Sequence, residues 1–592
     1  MEVIFILNFL DFEVYPKVWT CTIINPITQK EIVMVNDSEL LADYYEKHKD
    51  EIFIGYNIRG YDQYVMKAIL LGLSPQRVND WIIKEHKPGW KYSRMFNQVK
   101  LNIYDTLFGG KSLKLLEGFM GNNIRETSIP FNYDGDFTDG MIEEILHYNK
   151  HDVQQDIEVF LNRKEEFDSM MALIKEFNLP LNCIGKTQAQ LAAIILKATR
   201  VDYNDGWDIR LPDTLKLNKY QYVADWFMNP ANHTENAYLE TDIAGTPHIF
   251  ANGGVHGAIP NFIYECKENE VMLMADVGQL YPSLMVEYGL LSRGVSDYED
   301  FKMILSESLR LKAIGDKAAR EPYKRICNIT YGAMGDKYNA MYDPLHRTLV
   351  CVFGQVLIVM LIEMLEERVP GFMLIQSNTD GILIKFDEQF FDLVDDIVYE
   401  WEQQTRLKME FDYFKKIWQA DVNNYVGVME NGKIKAKGKF FKFTSPLDND
   451  LPIVQKAIMD YLLQGVSIEK TIDDCDDLMQ FQQICRVSGK YMHALKNCTF
   501  TKFRGKNVWN GDGEALNEKT LRVFASKLSS DGGVYKLKDK EKNPEKFADT
   551  SEHCFIFNES VVGVKCPKKL DKQYYIDMAK ERLVKKFGNK II

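Results

Sequence analysis

The chain has 592 residues, of which 46% are hydrophobic and 27% are charged. At roughly 150 residues per domain the length predicts three to five domains, and the composition excludes a largely disordered chain. Ten cysteines occur without a CxxC pair, which argues against a zinc or iron–sulfur site and for reduced thiols in a cytoplasmic setting. The first residues lack a basic region and soon meet acids, so no secretory signal is expected.

Charge is divided unevenly along the chain. The net charge of −13 disfavours a nucleic-acid partner when taken as an average. Residues 481–592, however, contain 23 Lys and Arg against 13 Asp and Glu, a net charge of +10, so the rest of the chain carries −23. Such a division suits a protein that grips a polyanion at one end and holds metal ions at the other. An unevenly charged, solvated surface fits the charge equally well.

The predicted elements begin with alternating strands and helices. Strands are expected at "VIFILNFLDFEVY" and "EIFIGYN", and helices at 62–72 and 141–162, which predicts a compact α/β domain up to about residue 165. The later elements are, in chain order, a glycine-rich loop at 250–262, a strand at 270–275, a helical region at 301–332, an apolar helix at 349–367 and a β-hairpin around residue 380. We expect the apolar helix to be buried, because it is too short to span a bilayer.

Two of these elements present a carboxylate. The strand "VMLMA" runs into Asp276, and the hairpin "IQSNTDGILIKF" carries Asp380 at its polar tip. Acids on adjacent strands can clamp two hard cations about 3.5–4 Å apart, as two-metal phosphoryl transfer requires. Each acid taken alone is more often a turn former or a helix cap.

Between these acids lies the helical stretch "REPYKRICNITYG". Pro322 suits the first turn of a helix, and Lys324, Asn328 and Tyr331 then share one helical face. The preceding stretch carries the basic residues Arg310, Lys312, Lys317 and Arg320. Folded back as a helical hairpin, the two stretches would form a positive wall facing the acids. The alternative is a solvated basic helix.

A second set of acids lies near the amino terminus. Asp11 and Glu13 are two apart on a strand and therefore face one side, and Asp62 follows in "YNIRGYDQY". Tyr148 and Asp152 fall at i and i+4 on a helix. Four carboxylates and a tyrosine can bind two metals and orient an attacking water.

The order of "DVGQLYPSL", "KRICNITYG" and "NTDG" resembles the three polymerase signatures of family B DNA polymerases, D-x-x-S-L-Y-P-S, K-x-x-x-N-S-x-Y-G and D-T-D-S. The chain departs from these signatures at Gln279, Ile329 and Gly381, where Ser is usual, and at Asn378, where Asp is usual. The amino-terminal acids resemble the D-x-E, N-x₂₋₃-F/Y-D and Y-x₃-D motifs of the 3′–5′ exonuclease domain joined to these polymerases. All four exonuclease acids are present, so proofreading is expected.

The resemblance covers nearly the whole chain and implies a fold. It is a mixed α/β and α+β multidomain protein, with an RNase H-like exonuclease domain followed by a right-hand polymerase. The implied limits are exonuclease 1–165, a linking region into the palm 166–260, palm 261–300, fingers 301–332, a second part of the palm 333–430 and thumb 431–592.

The resemblance also implies catalytic and nucleotide-binding residues. Two Mg²⁺ ions per active site, replaceable by Mn²⁺, would be held by Asp276, Asp380 and the backbone carbonyl of Val277 in the polymerase site. The exonuclease ions would be held by Asp11, Glu13, Asp62 and Asp152, with Tyr148 as a further catalytic residue. Tyr281 would pack under the sugar and reject a 2′-hydroxyl, Lys324 and our choice Lys312 would bind phosphates, Asn328 would lie near the nucleotide, and Tyr331 with Gly332 would line the nascent base pair.

DNA contacts are expected at several further motifs. Asn57 and Tyr61 belong to the second exonuclease motif, and "SLKLL", with Ser112 and Leu113, resembles a motif that holds single-stranded DNA. "NGGVHG", with Gly253 and Gly254, resembles the Y-x-G-G loop between the domains, although the aromatic is displaced to Phe250; a plain glycine turn is the alternative. "NNYVGV" resembles the K-x-Y region, so Tyr425 carries over, whereas Asn423 stands where Lys is usual. The basic residues expected at DNA phosphates are Lys433, Lys435, Lys437, Lys502, Arg504, Lys506 and Arg522.

These features predict a template-directed DNA polymerase with a proofreading 3′–5′ exonuclease, resembling compact bacteriophage replicases. The expected partners are primer–template DNA and dNTPs, with a phage or host primase, helicase or single-strand-binding protein as further candidates. We expect a monomer in the cytoplasm of an infected bacterial cell, without membrane contact. Because the exonuclease motif begins at residue 11, the extra amino-terminal domain of larger family members is not expected.

Motif spacing predicts the kind of primer. Only 48 positions separate Asp276 from Lys324 and 56 separate Lys324 from Asp380, which leaves no room for the two insertions of protein-primed phage members. A nucleic-acid primer is therefore expected, with modest strand displacement. Two rival hypotheses stay open: a nuclease whose polymerase half has decayed, with Asn378 as the lesion, and a non-catalytic DNA-binding scaffold. Asn378 aligns with the auxiliary acid, and we expect it to tune the site without abolishing synthesis.

Overall fold

The computed structural model describes residues 6–438, 441, 445–539, 542–588 and 591. About 40% of the protein is helical and 23% is in strands, distributed over several sheets, which confirms the mixed α/β class. The chain folds into two compact units. The first comprises Met1–Ile174, Leu179–Gly185 and Phe443–Arg582, and the second comprises Lys175–Asn178, Lys186–Lys442 and Leu583–Ile592. The six domain limits given above stay predictions.

The helices and strands follow one another in three stretches of the chain. Residues 6–185 form β1 (Leu7–Val14), β2 (Trp19–Asn25), β3 (Lys30–Val35), α1 (Ser38–His48), β4 (Ile52–Gly55), α2 (Asp62–Leu70), α3 (Pro75–Asn79), β5 (Asn102–Asp105), α4 (Leu113–Met120), α5 (Asp139–Asn162) and α6 (Lys164–Glu176). Residues 186–438 form α7 (Gln188–Ile195), α8 (Gln221–Met228), β6 (Tyr238–Ile243), β7 (Thr246–Ala251), β8 (Gly254–Ala258), β9 (Phe262–Glu265), β10 (Glu270–Val277), α9 (Leu280–Glu287), α10 (Tyr298–Ala313), α11 (Lys317–Gly335), α12 (Pro344–Arg368), β11 (Met373–Asn378), β12 (Gly381–Asp387), α13 (Phe391–Thr405), β13 (Met409–Asp421), β14 (Asn424–Met429) and β15 (Ile434–Lys437). Residues 445–588 form α14 (Pro452–Gln464), α15 (Ile468–Asp473), β16 (Gln483–Arg486), β17 (His493–Lys496), β18 (Phe500–Phe503), β19 (Lys506–Trp509), β20 (Glu514–Leu516), β21 (Thr520–Ala525), β22 (Val534–Leu537), β23 (Glu545–Lys546), β24 (Cys554–Ile556) and α16 (Lys572–Phe587).

The amino-terminal part of the first unit is built on a five-stranded sheet in the order β3-β2-β1-β4-β5. β1, β2 and β3 are antiparallel, whereas β4 and β5 run parallel to β1. The predicted strands are confirmed where described, and residues 3–5 of the first lie outside the described part. Helix α5 packs against β1 and β2. Because a sheet covered by a helix buries its facing side chains, the acids on β1 are held in a largely apolar setting.

The carboxyl-terminal part of the first unit contains three small antiparallel sheets. Arg522, on β21, is fully buried there. Its guanidinium donates to the side chain of Gln482 at 3.0 Å and to the backbone carbonyls of Gly118 and Asn122 at 3.1 and 2.7 Å. The expectation that Arg522 contacts DNA phosphates was therefore wrong, because its guanidinium is buried and hydrogen-bonded to backbone carbonyls at and just after the end of α4.

The second unit is built on a ten-stranded sheet. Its main path is β15-β14-β13-β10-β12-β11-β8-β7-β6, and β9 pairs with β13. β10 lies between β12 and β13 and is antiparallel to both. Strands β6 to β8, from the stretch predicted as a linking region, belong to this same sheet. The central position of β10 places its last residues beside both the β11–β12 turn and the start of β13.

Helix α12 is the apolar helix predicted at 349–367. It spans 25 residues, so it is long and apolar enough to cross a membrane, and the expectation that it is too short was wrong. The structure nevertheless buries 83% of its most apolar stretch inside the protein, which confirms the prediction of a core helix. All ten cysteines are free thiols, and six of them are buried.

The helical region predicted at 301–332 is a pair of helices, α10 and α11, that pack against each other. α11 begins at Lys317, because Asp316 caps it by accepting from the backbone N–H of Ala319 at 3.0 Å. Pro322 therefore lies inside the helix, and the expectation that it opens the helix was wrong.

Candidate active sites

Asp276 and Asp380 reach the same end of neighbouring strands in the second unit. Asp276 lies in β10, opposite Gly381 of β12 and Glu410 of β13. The strand runs on to Val277, so Asp276 is its penultimate residue rather than the residue after it. Thr379 and Asp380 form a two-residue turn between β11 and β12, and the Asp380 carbonyl accepts from the Val277 N–H at 2.7 Å. The predicted hairpin is thus confirmed, with its acid exposed at the turn.

Two further acids, on β13, surround Asp276. Glu410 lies directly opposite it, and Asp412 shares the ammonium of Lys435, which is 3.4 Å from Asp276 Oδ2 and 3.1 Å from Asp412 Oδ2. Burial raises the pKa of Asp276 and the negative charge of Asp380 adds to that rise, while Lys435 opposes it. The sequence reasoning missed Glu410 and Asp412, although acids alternating along the strand "MEFDYF" were an available signal.

A cavity of about 540 Å³ opens beside these acids. Its lining includes Val277, Tyr281, Asn328, Tyr331, Asn378, Asp380 and Lys437. The rings of Tyr281 and Tyr331 lie 4.4 Å apart between centroids. Three of the predicted nucleotide-binding side chains are therefore brought together.

The predicted phosphate-binding cations are less uniformly placed. Lys324 is exposed on α11 and does not line the cavity. Lys312, at the end of α10, forms an ion pair with Glu410, so it does reach the acids near Asp276. Arg310 pairs instead with Glu307 of its own helix at 2.6 Å. Of these basic residues on α10, Lys312 contacts an acid next to Asp276, whereas Arg310 does not.

The glycine-rich loop is the turn of a β-hairpin. Asn252 and Gly253 connect β7 to β8. Gly254 has a φ of +152°, and a β-carbon added there would come within 2.6 Å of Thr379 Oγ1, which already accepts from the Val255 N–H at 3.0 Å. Packing on the Asp380 hairpin therefore explains Gly254 without nucleic acid, in line with the alternative of a plain glycine turn. Gly253 and Gly332 are exposed, and their DNA contacts stay predictions.

The predicted primer-gripping residues separate into buried and exposed groups. Tyr425 is only 5% exposed and packs among Met274 and Phe414 in the sheet core, so it offers no open face to DNA. β15 begins at Ile434, which leaves Lys433 outside the strand; Lys435 contacts Asp276 and Lys437 lines the cavity. The β18–β19 hairpin is exposed along nearly its whole length and carries Lys502, Arg504 and Lys506.

The first unit gathers the second set of acids. Asp11 and Glu13 lie on β1, Asp62 opens α2, and Tyr148 and Asp152 lie on α5, each in the predicted element. Burial raises the pKa of Asp11 to about 7 and that of Asp152 to about 6, and raises the pKa values of Glu13 and Asp62 well above their usual range. The charges of Asp11, Asp62 and Asp152 all raise the pKa of Glu13, so the four carboxylates form one interacting cluster.

Two polar residues that the sequence reasoning missed hold this cluster. The ammonium of Lys114, in the quoted stretch "SLKLL", lies 2.8 Å from Asp152 Oδ1 and 4.6 Å above the Tyr148 ring. Asn149 donates to Asp11 Oδ2 at 2.7 Å. Only the folding of α4 against α5 brings Lys114 to Asp152, so no local pattern could have identified it.

One member of this cluster, Asp152, also belongs to a group with the spacing of a metal site. One ligand atom each from Glu117, His151 and Asp152 lie within 4.8 Å of one another, so the group could hold a metal ion. Lys114 Nζ is also 3.1 Å from Glu117 Oε2, so its charge opposes a cation there.

The residues predicted to contact DNA at the exonuclease site differ in their exposure. Asn57 is exposed, with its backbone N–H donating to Asp105 Oδ1 at 2.9 Å, and the Tyr61 hydroxyl donates to Asn79 Oδ1 at 2.9 Å. Ser112 precedes α4 as its N-cap residue without a side-chain capping bond, and Leu113 is partly buried. Their DNA contacts stay predictions.

No protein-family model matches the chain, and no curated protein matches it either. The residues themselves and their arrangement are therefore what supports an activity.

Proposed function

We propose that the protein is a template-directed DNA polymerase of the family B type with a 3′–5′ proofreading exonuclease. One observation carries the proposal: the turn that holds Asp380 lies beside Asp276 of β10, and Asp380 lines a cavity together with Tyr281, Asn328 and Tyr331. Carboxylates that can hold metal ions, next to aromatic and amide side chains that can contact a sugar and a base, suit a nucleoside triphosphate. The five-stranded sheet beneath the other acids suits an RNase H-like exonuclease domain.

The donor atoms of the second unit fit hard divalent cations. Asp276, Asp380 and the Val277 carbonyl would hold two Mg²⁺ ions, because carboxylate and carbonyl oxygens are the ligands such ions prefer. When bound, the ions would stabilise the attacking and leaving oxygens of an in-line displacement. Burial first, and then the charge of Asp380, raises the pKa of Asp276, which supports this fit because a bound cation would stabilise the charged form of such a carboxylate.

The protein's own side chains would position the nucleotide. The ring of Tyr281 would lie under the sugar, where it excludes a 2′-hydroxyl by contact. Asn328 and Tyr331 would approach the sugar and base from α11, while Lys437, on the cavity wall, would attract the phosphates. Lys312 forms an ion pair with Glu410, which lies directly opposite Asp276. Lys312 could therefore leave Glu410 and bind a phosphate of the nucleotide instead.

The acids of the first unit would hold the ions of the exonuclease. Asp11, Glu13, Asp62 and Asp152 resist ionisation when buried together, so bound cations would stabilise their charged forms. Lys114 helps to keep Asp152 ionised and fixed beside Tyr148, which could then orient the attacking water.

Asn378 is compatible with synthesis. Its side chain lines the cavity, next to His256 on β8, and its neutral amide keeps an acceptor oxygen there without a second negative charge. Asn378→Asp should change the Mg²⁺ concentration that gives half-maximal extension, while wild type already extends primers. A wild-type protein that extends no primer until Asn378→Asp is introduced would instead support the decayed-polymerase hypothesis.

The substrates of the proposed reaction are a nucleic-acid primer on a DNA template and the four dNTPs. We further propose a monomer that works in an infected bacterial cell, with a primase, helicase or single-strand-binding protein as partners. Extension from a protein hydroxyl would contradict this part of the proposal.

A primer assay tests both activities in one preparation. With Mg²⁺ and dNTPs, wild type should extend a labelled primer; without dNTPs it should shorten the primer. Asp380→Asn should lose extension and keep shortening, and Asp11→Asn should do the reverse. Asp387→Asn, at the other end of β12, is the matched control and should keep both. Shortening without any extension would leave a nuclease, and loss of neither activity in the two variants would refute the assignment of the acids.

A further inference from the structure

A buried thiol contacts both tyrosines that line the cavity. Cys351 lies on α12 and is fully buried. Its Sγ is 2.8 Å from the Tyr331 hydroxyl and 3.9 Å from the Tyr281 hydroxyl, and it donates to the backbone carbonyl of Gly253 at 3.4 Å. A single sulfur thus joins α9, α11 and the β7–β8 turn through α12.

The thiol has one proton to share among these contacts. Because the Gly253 carbonyl can only accept, the arrangement that satisfies both of the shorter contacts has the thiol donating to Gly253 O and its sulfur accepting from the Tyr331 hydroxyl. Burial raises the pKa of Cys351, so the thiol keeps the proton it donates. Tyr331 in turn packs on Tyr281 with the ring planes at 41°, so fixing one hydroxyl limits the tilt of both rings.

We infer that Cys351 is a positioning residue that sets the height of Tyr281 beneath the sugar, and thereby the selection of deoxyribonucleotides over ribonucleotides. The inference rests on the proposed polymerase function and deepens it. Rejection of a ribonucleotide requires the tyrosine ring to occupy the space of a single hydroxyl group, so the ring must be held to within a fraction of an ångström. A displacement of about 1 Å at a reacting site can change a rate about 100-fold.

Single-nucleotide incorporation with dNTP and with the matching rNTP tests the inference. Cys351→Ala removes the sulfur and should lower the ratio of kcat/KM for dNTP over rNTP about tenfold, mostly through better rNTP incorporation. Cys351→Ser keeps a donor and acceptor on a shorter bond and should lose less of the ratio. Cys327→Ala, which removes a fully buried thiol from α11 of the same unit, is the matched control and should keep the wild-type ratio.

The outcomes separate the inference from the proposed function. Wild-type extension together with an unchanged ratio in Cys351→Ala would overturn the role of Cys351 and leave the polymerase intact. An equal fall of dNTP and rNTP incorporation would also overturn it, because it would indicate a general structural role. If Cys351→Ala does not fold, Cys351→Ser carries the test, and a wild-type ratio there would overturn the inference. A wild type that extends no primer would overturn the proposed function and the inference with it.

Discussion

Gly381 directly follows the turn that holds Asp380, and its replacement gives a sharp test of the proposed site. A β-carbon at residue 381 would clash with the Asp276 carboxylate and lie 2.7 Å from the Ala275 carbonyl and 2.9 Å from Asp276 Cα. Ordinary contact begins at 3.4 Å. Because two of these atoms belong to the backbone of β10, they cannot rotate away, and Gly381→Ala must push the strand or the hairpin aside.

The required shift is about 0.7 Å at the Ala275 carbonyl and about 0.5 Å at Asp276 Cα, which predicts a roughly tenfold to hundredfold loss of primer extension. The strain should lower the free energy of unfolding by about 1–3 kcal/mol, so most of the protein stays folded. Single-turnover extension rates and denaturant unfolding of the same preparation measure both effects. Gly489→Ala, at a glycine with open space around it, should change neither. A folded Gly381→Ala protein with wild-type extension would refute the placement of Asp276 against the turn.

Three further predictions follow from buried charges. Arg522→Met should lower the free energy of unfolding by about 3–5 kcal/mol, because it leaves buried carbonyls unpaired, whereas Arg504→Met on the exposed hairpin should change it by less than about 0.5 kcal/mol; equal effects in denaturant unfolding would contradict the burial of Arg522. The pKa of Asp11 is about 7 in the folded protein and about 3.9 in the unfolded chain. The free energy of unfolding in EDTA should therefore fall as the pH rises from about 4 to 7, and Asp11→Asn should weaken that fall. Identical pH profiles of the unfolding free energy for wild type and variant would contradict this prediction. At limiting Mg²⁺, primer shortening should decline below about pH 7 as Asp11 and then Asp152 take up protons, and a pH-independent shortening rate would exclude protonation of these acids.

The strands and helices that hold the acids could be predicted from the sequence because the patterns that indicate them are local. Short apolar runs identified β1 and β10, and the polar tip between apolar runs identified the β11–β12 hairpin. The limits of α11 were harder, since the cap at Asp316 outweighs the preference of Pro322 for a first turn. Local signals therefore predicted which strand or helix carries each acid better than where each element begins.

The side chains around the acids could not be predicted in this way. Lys114 reaches Asp152, and Lys435 reaches Asp276, only through tertiary packing. Charge alone was misleading for Arg522, since a basic residue near other basic residues is expected on the surface. Tyr425 was misplaced for a related reason: a motif match identifies the residue but not how deeply the sheet buries it.

The meaning of Asn378 changes once tertiary neighbours are counted. Judged by the hairpin alone, asparagine leaves the site one carboxylate short. Strand β13, about 30 residues further on, supplies two more acids: Glu410 lies opposite Asp276, and Asp412 contacts the same lysine as Asp276 does. The site next to the turn is therefore not short of carboxylates. An aspartate at 378 would add charge to an already acidic strand end and raise the cost of ionising Asp276 in the absence of cations. A neutral amide avoids that cost and keeps an acceptor oxygen in a side chain that lines the cavity. We therefore propose that the asparagine is part of the charge balance among β10, the β11–β12 turn and β13 rather than a lesion of the hairpin.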